Sequence, residues 1–582
     1  MWKKFKSEEK FFVVLGFFLA VLFFMRASTA MTEVRGGVND GSQVEMLSKV
    51  AQNIMENPLA INFSYDSTIR WGLIGAGVYV VVIIYMFGSK KNLMTGKEHG
   101  SAKWADRGDS LSIADPDPQK NILFTLTEKM SLDTRKTRKN LNVLVIGGSG
   151  SGKTRFFVKP NIMQHNTSYV ITDPKGELLK STAKLLESEG FKIKVFNLID
   201  MNHSNAYNPF EYLREDKDVL TMISLLIKNT TPVGQRSQDP FWEKAETALL
   251  QAICYYLYYE APDEEQNFSM VMELLRAAEV RETDEAYESD LDLLFNYLKD
   301  KDPNHIALKQ YAIFKQAAGQ TAKSILVSVG VRLAAFNQRN IGALTITDNL
   351  DLQDLGTEKT VLFVVVPDSH DTFNFLVAMM YSQIFDSLYF RADNEFGGRL
   401  PVHVRFLLDE FANIGQIPDF EKKVATMRSR EISVSIIIQN LAQLKTNYKE
   451  SWESITGNCD SLLFLGGQEQ TTLEYISKRL GKQTIEIKTT GQSKGKSSSN
   501  SINFGKHGRE LMQPDEISQM PDKQCILLIR GMKPFYSQKI VIENLKNYDR
   551  LDDTNEGSNF SYEKIHTPFD KLDSFFRNGS TA

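Results

Sequence analysis

Two apolar runs near the N-terminus stand apart from the rest of the chain. Phe11 to Met25 is uninterrupted apolar sequence behind Lys3, Lys4, Lys6 and Lys10, and Trp71 to Gly88 is a second run followed by Lys90 and Lys91. Each is just long enough to cross a bilayer, which predicts transmembrane helices over about 11–30 and 69–88 within a membrane region of residues 1–90. The lysine flanks place both ends of this region on the cytoplasmic side and leave Thr32 to Ser67 outside. A cleaved leader is the competing reading of the first run, because Ser28, Thr29 and Ala30 resemble a small-residue cleavage site.

Beyond residue 90 the pattern changes to short β-prone runs separated by helical stretches. Val143–Ile146, Tyr169–Thr172 and Lys194–Leu198 form a first group, and Val361–Val366, Val404–Leu408, Val434–Ile438, Ser461–Leu465 and Ile526–Ile529 a second. Strands alternating with helices predict a parallel sheet covered on its faces, an α/β fold. The alternation stops near Pro209 and resumes near Thr360. Between them Trp242, Ala245, Ala248, Leu249 and Ala252 recur at helical spacing within Phe241 to Tyr259, and Gln310 to Phe336 reads as helical too. We read residues 209–345 as an inserted all-α domain that splits the α/β domain into 91–208 and 346–548. Gly491 to Gly508, rich in Ser, Lys and Gly, reads as a mobile loop. The tail, 549–582, reads as flexible, with Phe569, Leu572, Phe575 and Phe576 spaced for a short amphipathic docking helix.

Composition narrows this picture only slightly. The 582 residues carry a formal net charge of −4, so any contact with nucleic acid has to be local, in a pore or groove. The three cysteines, Cys254, Cys459 and Cys525, follow no metal-ligand spacing and fit reduced thiols packed as small hydrophobes. The basic cluster Arg135, Lys136, Arg138 and Lys139 reads as a solvated surface.

Candidate chemistry begins where the first strand ends. Val143–Ile146 breaks directly into Gly147, Gly148, Ser149, Gly150, Ser151, Gly152, Lys153 and Thr154, the full phosphate-loop pattern between a strand and a helix. The glycines permit a curl whose amides face inward, and the helix starting there adds its positive dipole end, so the loop suits a polyanionic phosphate. Lys153 is expected to reach the β and γ phosphates of ATP, and Thr154 to hold magnesium. The α/β domain is thereby predicted to bind nucleotide.

A second half of the site follows. The strand Val404–Leu408 ends in Asp409 and Glu410, the Walker B arrangement: Asp409 is expected in the magnesium shell and Glu410 as general base for the attacking water. Val434–Ile438 ends in Gln439, whose amide both donates and accepts and suits a sensor of the γ-phosphate. Arg428 and Arg430, between these strands, are the candidates for an arginine finger acting on a neighbouring subunit, against the plainer reading of surface salt bridges.

With these pieces the chain resembles the type IV coupling proteins, membrane ATPases that feed DNA and relaxase into conjugative secretion channels. The likeness is carried by GGSGSGKT at 147–154, ITDPKGEL at 171–178, DPFWEKAETALL at 239–250, FLLDEFANIG at 406–415, SIIIQN at 435–440 and RELMQPDEI at 509–517, in the family's order. The resemblance implies a RecA-like motor, homo-hexameric when active, sitting in the cytoplasmic membrane with its ATPase body in the cytoplasm. It further implies an all-α domain that receives substrate, single-stranded DNA as cargo, and relaxase, relaxosome and secretion-channel partners. It favours Arg428, eleven residues before Gln439, as the finger. The alternatives are a septal-type translocase of double-stranded DNA and a secretion receptor for protein substrates alone.

Overall fold

The computed structural model describes residues 7–35, 43–88, 96–106, 108–231, 240–281, 287–317, 319–493 and 499–552, with Ile565, Thr567, Phe569 and Lys571 in the tail. Two compact units make up the chain, Met1–Glu98 and His99–Ala582.

The first unit holds three helices, α1 (Ser7–Arg35), α2 (Gln43–Glu56) and α3 (Asp66–Gly88). Helices α1 and α3 are long and apolar enough to cross a membrane, and Phe11, Phe18, Phe23, Leu73, Val81 and Tyr85 are turned outward. Small residues bring the two together: a Cβ at Gly75 would stand 2.8 Å from the Phe24 ring and one at Gly16 2.6 Å from the Tyr79 hydroxyl, so only glycine allows this approach. The Tyr79 hydroxyl donates to the Val13 carbonyl at 2.8 Å. Helix α1 continues past the predicted end near residue 30, carrying Arg26 within it. That guanidinium is buried and donates to the Asn53 and Asn57 carbonyls, each at 2.7 Å, at the end of α2.

The second unit opens with a small antiparallel pair, β1 (Asn121–Leu123) and β2 (Lys129–Ser131), and a single turn, α4 (Thr134–Thr137). Then come β3 (Val143–Ile146), a π-turn (Thr154–Val158) running into α5 (Lys159–Ile162), β4 (Ser168–Asp173), α6 (Glu177–Ser188) and β5 (Lys192–Asn197). The helical block follows: α7 (Asp216–Thr230), α8 (Pro240–Glu260), α9 (Phe268–Arg276), α10 (Asp290–Lys301), α11 (Ile306–Lys315), α12 (Gly319–Arg332) and α13 (Arg339–Thr345). The chain returns through β6 (Thr360–Val365), α14 (Asn374–Asn394), β7 (Val404–Leu408), α15 (Phe420–Thr426), β8 (Ile432–Ile438), α16 (Leu441–Asn447), α17 (Trp452–Gly457), β9 (Ser461–Phe464) and α18 (Gln470–Leu480). It closes with β10 (Lys482–Ser493), β11 (Ser499–Glu510), α19 (Pro514–Ser518), β12 (Gln524–Ile529) and β13 (Phe535–Gln538).

Among the described residues one nine-stranded sheet has the order β13-β12-β9-β3-β8-β7-β4-β6-β5. The seven strands from β9 to β5 are parallel, and β12 and β13 extend the sheet antiparallel from β9. Strands β3, β4, β6, β7, β8 and β9 are buried throughout, as near-continuous Val, Ile and Leu runs require of a parallel sheet covered on both faces. The core on one face is continuous with the core of the helical block, through Leu226 of α7, Leu249 of α8 and Phe385 of α14, which stacks on Phe406. At α7's end Asn229 accepts from the Gln416 N–H at 2.8 Å, which ties the block to the loop that follows β7.

Gln310 to Phe336 is helical as expected, in α11, α12 and a 3-10 turn, Ala334–Asn337. One expectation needs correction. Gly491 to Gly508 is not a loop: 491–493 and 499–508 belong to the paired strands β10 and β11, and 494–498 lie outside the described residues. Ile485 and Ile487 on β10, with Ile502 and Phe504 on β11, recur every second residue, a strand period that the serine and glycine content hid. Of the tail, Ile565 and Thr567 are buried against the body and Phe569 packs on Ala343 and Ile346; its remaining predicted helix positions lie outside the described residues. All three cysteines are buried and unbridged, and burial raises each thiol pKa, that of Cys459 and of Cys525 to about 12.

Candidate nucleotide site

The sheet order places every element of the expected site on one edge. Strand β3 lies between β9 and β8, and β8 pairs with β7, so the loop after β3, Gln439 after β8 and Asp409 and Glu410 after β7 emerge side by side. This is the carboxyl edge of the parallel strands, where ligands of open α/β sheets bind.

The loop is held by its neighbours' backbones. The Gly147 N–H donates to the Ile438 carbonyl at 3.1 Å and the Gly148 N–H to the Gly466 carbonyl at 2.8 Å. A Cβ at Gly147 would come within 2.3 Å of Ser151 Oγ, and Gly152 has a φ of +82° and would strike the Phe156 ring at 2.3 Å. Lys153 curls back on the loop, its Nζ donating to the Gly147 carbonyl at 2.8 Å. Ser151 Oγ is buried without a hydrogen-bond partner, an unmet polar group inside the cradle that fits a phosphate oxygen.

Across the loop, the Thr154 hydroxyl donates to Asp409 Oδ2 at 2.7 Å. The two expected magnesium ligands, 255 residues apart in sequence, are therefore in contact. Asp409 is only 4% exposed, and burial pushes its carboxyl up to about 6, with the Thr154 hydroxyl and the Lys153 charge pulling the other way. A hydroxyl and a carboxylate are hard oxygen donors of the kind magnesium takes, so the residues present fit that ion.

Glu410 sits in the left-handed region, φ +55°, a strained position for a side-chain-bearing residue and one characteristic of functional sites. Both of its carboxylate oxygens are engaged. Gln439 Nε2 donates to Oε2 at 3.1 Å, and Gln443 Nε2 donates to Oε1 at 2.8 Å. Asp173, at the end of β4, is buried near Asp409 and accepts from the Leu179 N–H at 2.8 Å; burial raises its pKa against that and its other backbone donors.

The arginines lie elsewhere. Both precede β8 on a 3-10 turn, Met427–Arg430, at the opposite end of that strand from Gln439. The seven residues of β8 put Arg428 about 23 Å from its own phosphate loop at roughly 3.3 Å per residue. Arg428 donates to the Thr134 carbonyl at 2.7 Å. Arg430 makes a two-pronged pair with Asp393, at 2.9 and 2.7 Å, and stacks over Tyr389, which matches the salt-bridge reading for that residue. The structure thus brings together Gly147 to Thr154, Asp409, Glu410 and Gln439, and separates Arg428 from them within one chain.

Three neighbours escaped sequence reasoning. Gln443 stands on the first turn of α16, four residues after Gln439. Lys539, buried just after β13, donates to the Ser151 carbonyl at 3.0 Å. Arg155 pairs with Glu543 beyond β13. Only Gln443 carried a local signal, as the third residue after the helix cap Asn440, whose side chain accepts from its N–H at 3.2 Å.

Fold and site together define a RecA-like P-loop NTPase with an inserted all-α domain and two apolar N-terminal helices. A family profile described as type IV secretory system conjugative DNA transfer matches residues 103–550, more than half of the chain, and the protein belongs to this family, the type IV coupling proteins. It is 23% identical to protein VirD4 of Rhizobium radiobacter over 521 residues, 86% of this chain and 72% of that one. Among solved structures it is similar to the bacterial conjugative coupling protein TrwBdeltaN70 in its unbound monoclinic form, with a TM-score of 0.55 at 16% identity, over 78% of this chain and 97% of that one. It is also similar to TrwB in complex with ADP and Mg2+, with a TM-score of 0.52 at 16% identity, over 75% and 92%. At such identities these two structures bear on the fold.

Proposed function

We propose that this protein is a membrane-anchored coupling ATPase of a conjugative type IV secretion system. It recruits a relaxase–DNA complex and drives single-stranded DNA toward the secretion channel by hydrolysing ATP. The observation that carries the reading is the contact of Thr154 with Asp409 beside the doubly held Glu410, in a chain of the coupling family. Two apolar helices with lysine flanks support anchoring in the cytoplasmic membrane with the ATPase body inside, and the family supports a hexamer.

The residues suggest the following chemistry. Loop amides and the N-terminal end of the following helix bind the phosphates, and Lys153 leaves the Gly147 carbonyl for the β and γ oxygens. Thr154 and Asp409 would hold magnesium, which would supply charge neutralisation to the phosphates. Glu410 orients a water and accepts its proton. The water oxygen bonds to the γ-phosphorus as the bond to the β-bridging oxygen breaks, and that electron pair leaves with ADP. Gln439 reports whether the γ-phosphate is present.

Hydrolysis by the full-length protein in lipid nanodiscs, without DNA, with single-stranded DNA and with duplex, tests this. Single strands should stimulate the wild type, and Lys153→Ala should abolish hydrolysis. Stimulation by duplex alone would replace the reading with a double-stranded translocase, and indifference to all DNA with a receptor for protein substrates.

A further inference from the structure

Glu410 is held by two amides that differ in what else they do. Gln439 lies at the end of β8, next to the phosphate loop, and its amide is the group expected to meet a γ-phosphate. Gln443 is fixed from every side. Its own N–H is capped by Asn440 Oδ1 at 3.2 Å, the Leu441 N–H that opens the same helix is held by Thr472 Oγ1 at 3.0 Å, and its Oε1 accepts from the Gln439 backbone N–H at 2.9 Å. One side chain therefore ties the sensor's backbone to the carboxylate of the base. The left-handed backbone at Glu410, strained for a residue with a side chain, persists only where its surroundings hold it.

Resting on the ATPase reading above, we infer that Gln443 is the positioning residue of the hydrolytic base and that the two oxygens of Glu410 have different jobs. Oε1 is the anchor, kept by Gln443 throughout the cycle. Oε2 is the working oxygen: it is covered by Gln439 until that amide turns to the γ-phosphate, and only then is open to take the water's proton. Reading the nucleotide and freeing the base become one movement of one side chain. Without Gln443, Gln439 can still turn but Glu410 is no longer aimed.

The test compares Gln443→Met, which keeps length and loses both hydrogen bonds, with Gln443→Glu, which turns an acceptor toward Glu410. ATP affinity is measured by fluorescent-nucleotide displacement, folding by thermal melting and kcat by phosphate release. Gln443→Met should bind ATP as the wild type does and lose roughly 10- to 10²-fold in kcat, the scale seen when a positioning partner is removed. Gln443→Glu should lose more. The deciding measurement is a double-mutant cycle. If Gln443 acts through Glu410, then Glu410→Gln combined with Gln443→Met hydrolyses no more slowly than Glu410→Gln alone. Multiplying losses, or a wild-type kcat in Gln443→Met beside a disabled Glu410→Gln, would overturn the inference and leave the ATPase reading standing. Wild-type hydrolysis by Glu410→Gln would instead sink the base assignment and this inference with it. Should Gln443→Met fold poorly, the cycle is run with Gln443→Glu, which keeps the side chain's size and polarity.

Discussion

At Gly147 the loop's dependence on glycine has one identifiable cause, because a Cβ there would meet Ser151 Oγ at 2.3 Å, Lys153 Cγ at 3.1 Å and Leu465 Cβ at 3.2 Å. Gly147→Ala must push the Ser151 hydroxyl and the Lys153 stem away together, and both belong to the cradle. We expect ATP affinity to fall by at least tenfold while the melting temperature of the nucleotide-free protein changes little, since the clash sits in a loop and not in the sheet; unchanged nucleotide affinity would refute the account. Residues of this kind were legible in the sequence because the chemistry demands them at fixed local spacing. Glu410 and Asp409 were legible for the same reason, as the polar end of an apolar strand. Lys539 was not, because it reaches the Ser151 carbonyl across 388 residues and only folding brings the two together.

Among the elements, the buried parallel strands could be read directly, since burial on both faces leaves uninterrupted apolar runs. The hairpin of β10 and β11 was not legible, because it projects polar and small residues and its alternation is carried by four apolar positions alone. The helical block was recognisable as an interruption of the strand pattern, while its joint with the sheet depends on a residue no motif marks. Asp348, partly buried there, accepts from the Asn208 N–H at 3.2 Å, the Tyr212 hydroxyl at 2.7 Å and the Asp351 N–H at 3.2 Å. Burial outweighs these donors and raises its pKa from 3.8 to about 6. A carboxyl raised in the fold keeps its proton longer than in the unfolded chain, so between those two values the folded state binds more protons and stability falls as pH rises. Asp348→Asn removes the titration and keeps the shape. Its melting temperature relative to wild type should therefore climb from about pH 4 to about pH 7 and level off above, whatever its fixed offset, because only the charged form of Asp348 carries the penalty. A difference independent of pH would show that Asp348 is solvated in its charged form.

For the whole molecule, the placement of Arg428 bears on how many chains make one site. It lies at the far end of β8 from its own phosphate loop, so it cannot act on the nucleotide bound by the same chain without unfolding the strand between them. Its one described hydrogen bond, to the Thr134 carbonyl, holds the turn against α4 and leaves the planar guanidinium's other donors to be accounted for. In the proposed hexamer, a finger acting in trans requires that edge of one subunit to face the carboxyl edge of the next, where a planar guanidinium fork is suited to a γ-phosphate whose charge spreads in the transition state. Arg428→Lys should then lower hydrolysis strongly at nearly constant ATP affinity, since lysine keeps the charge and loses the fork and the interaction is realised mainly in the transition state. Arg428→Ala and Lys153→Ala subunits should each be inactive alone. Mixed rings contain interfaces that pair an intact phosphate loop with an intact finger, so mixing should restore part of the activity, with a maximum at intermediate ratios. Rings shown to contain both subunits that never exceed the sum of the separate variants would assign Arg428 to holding α4 and nothing more.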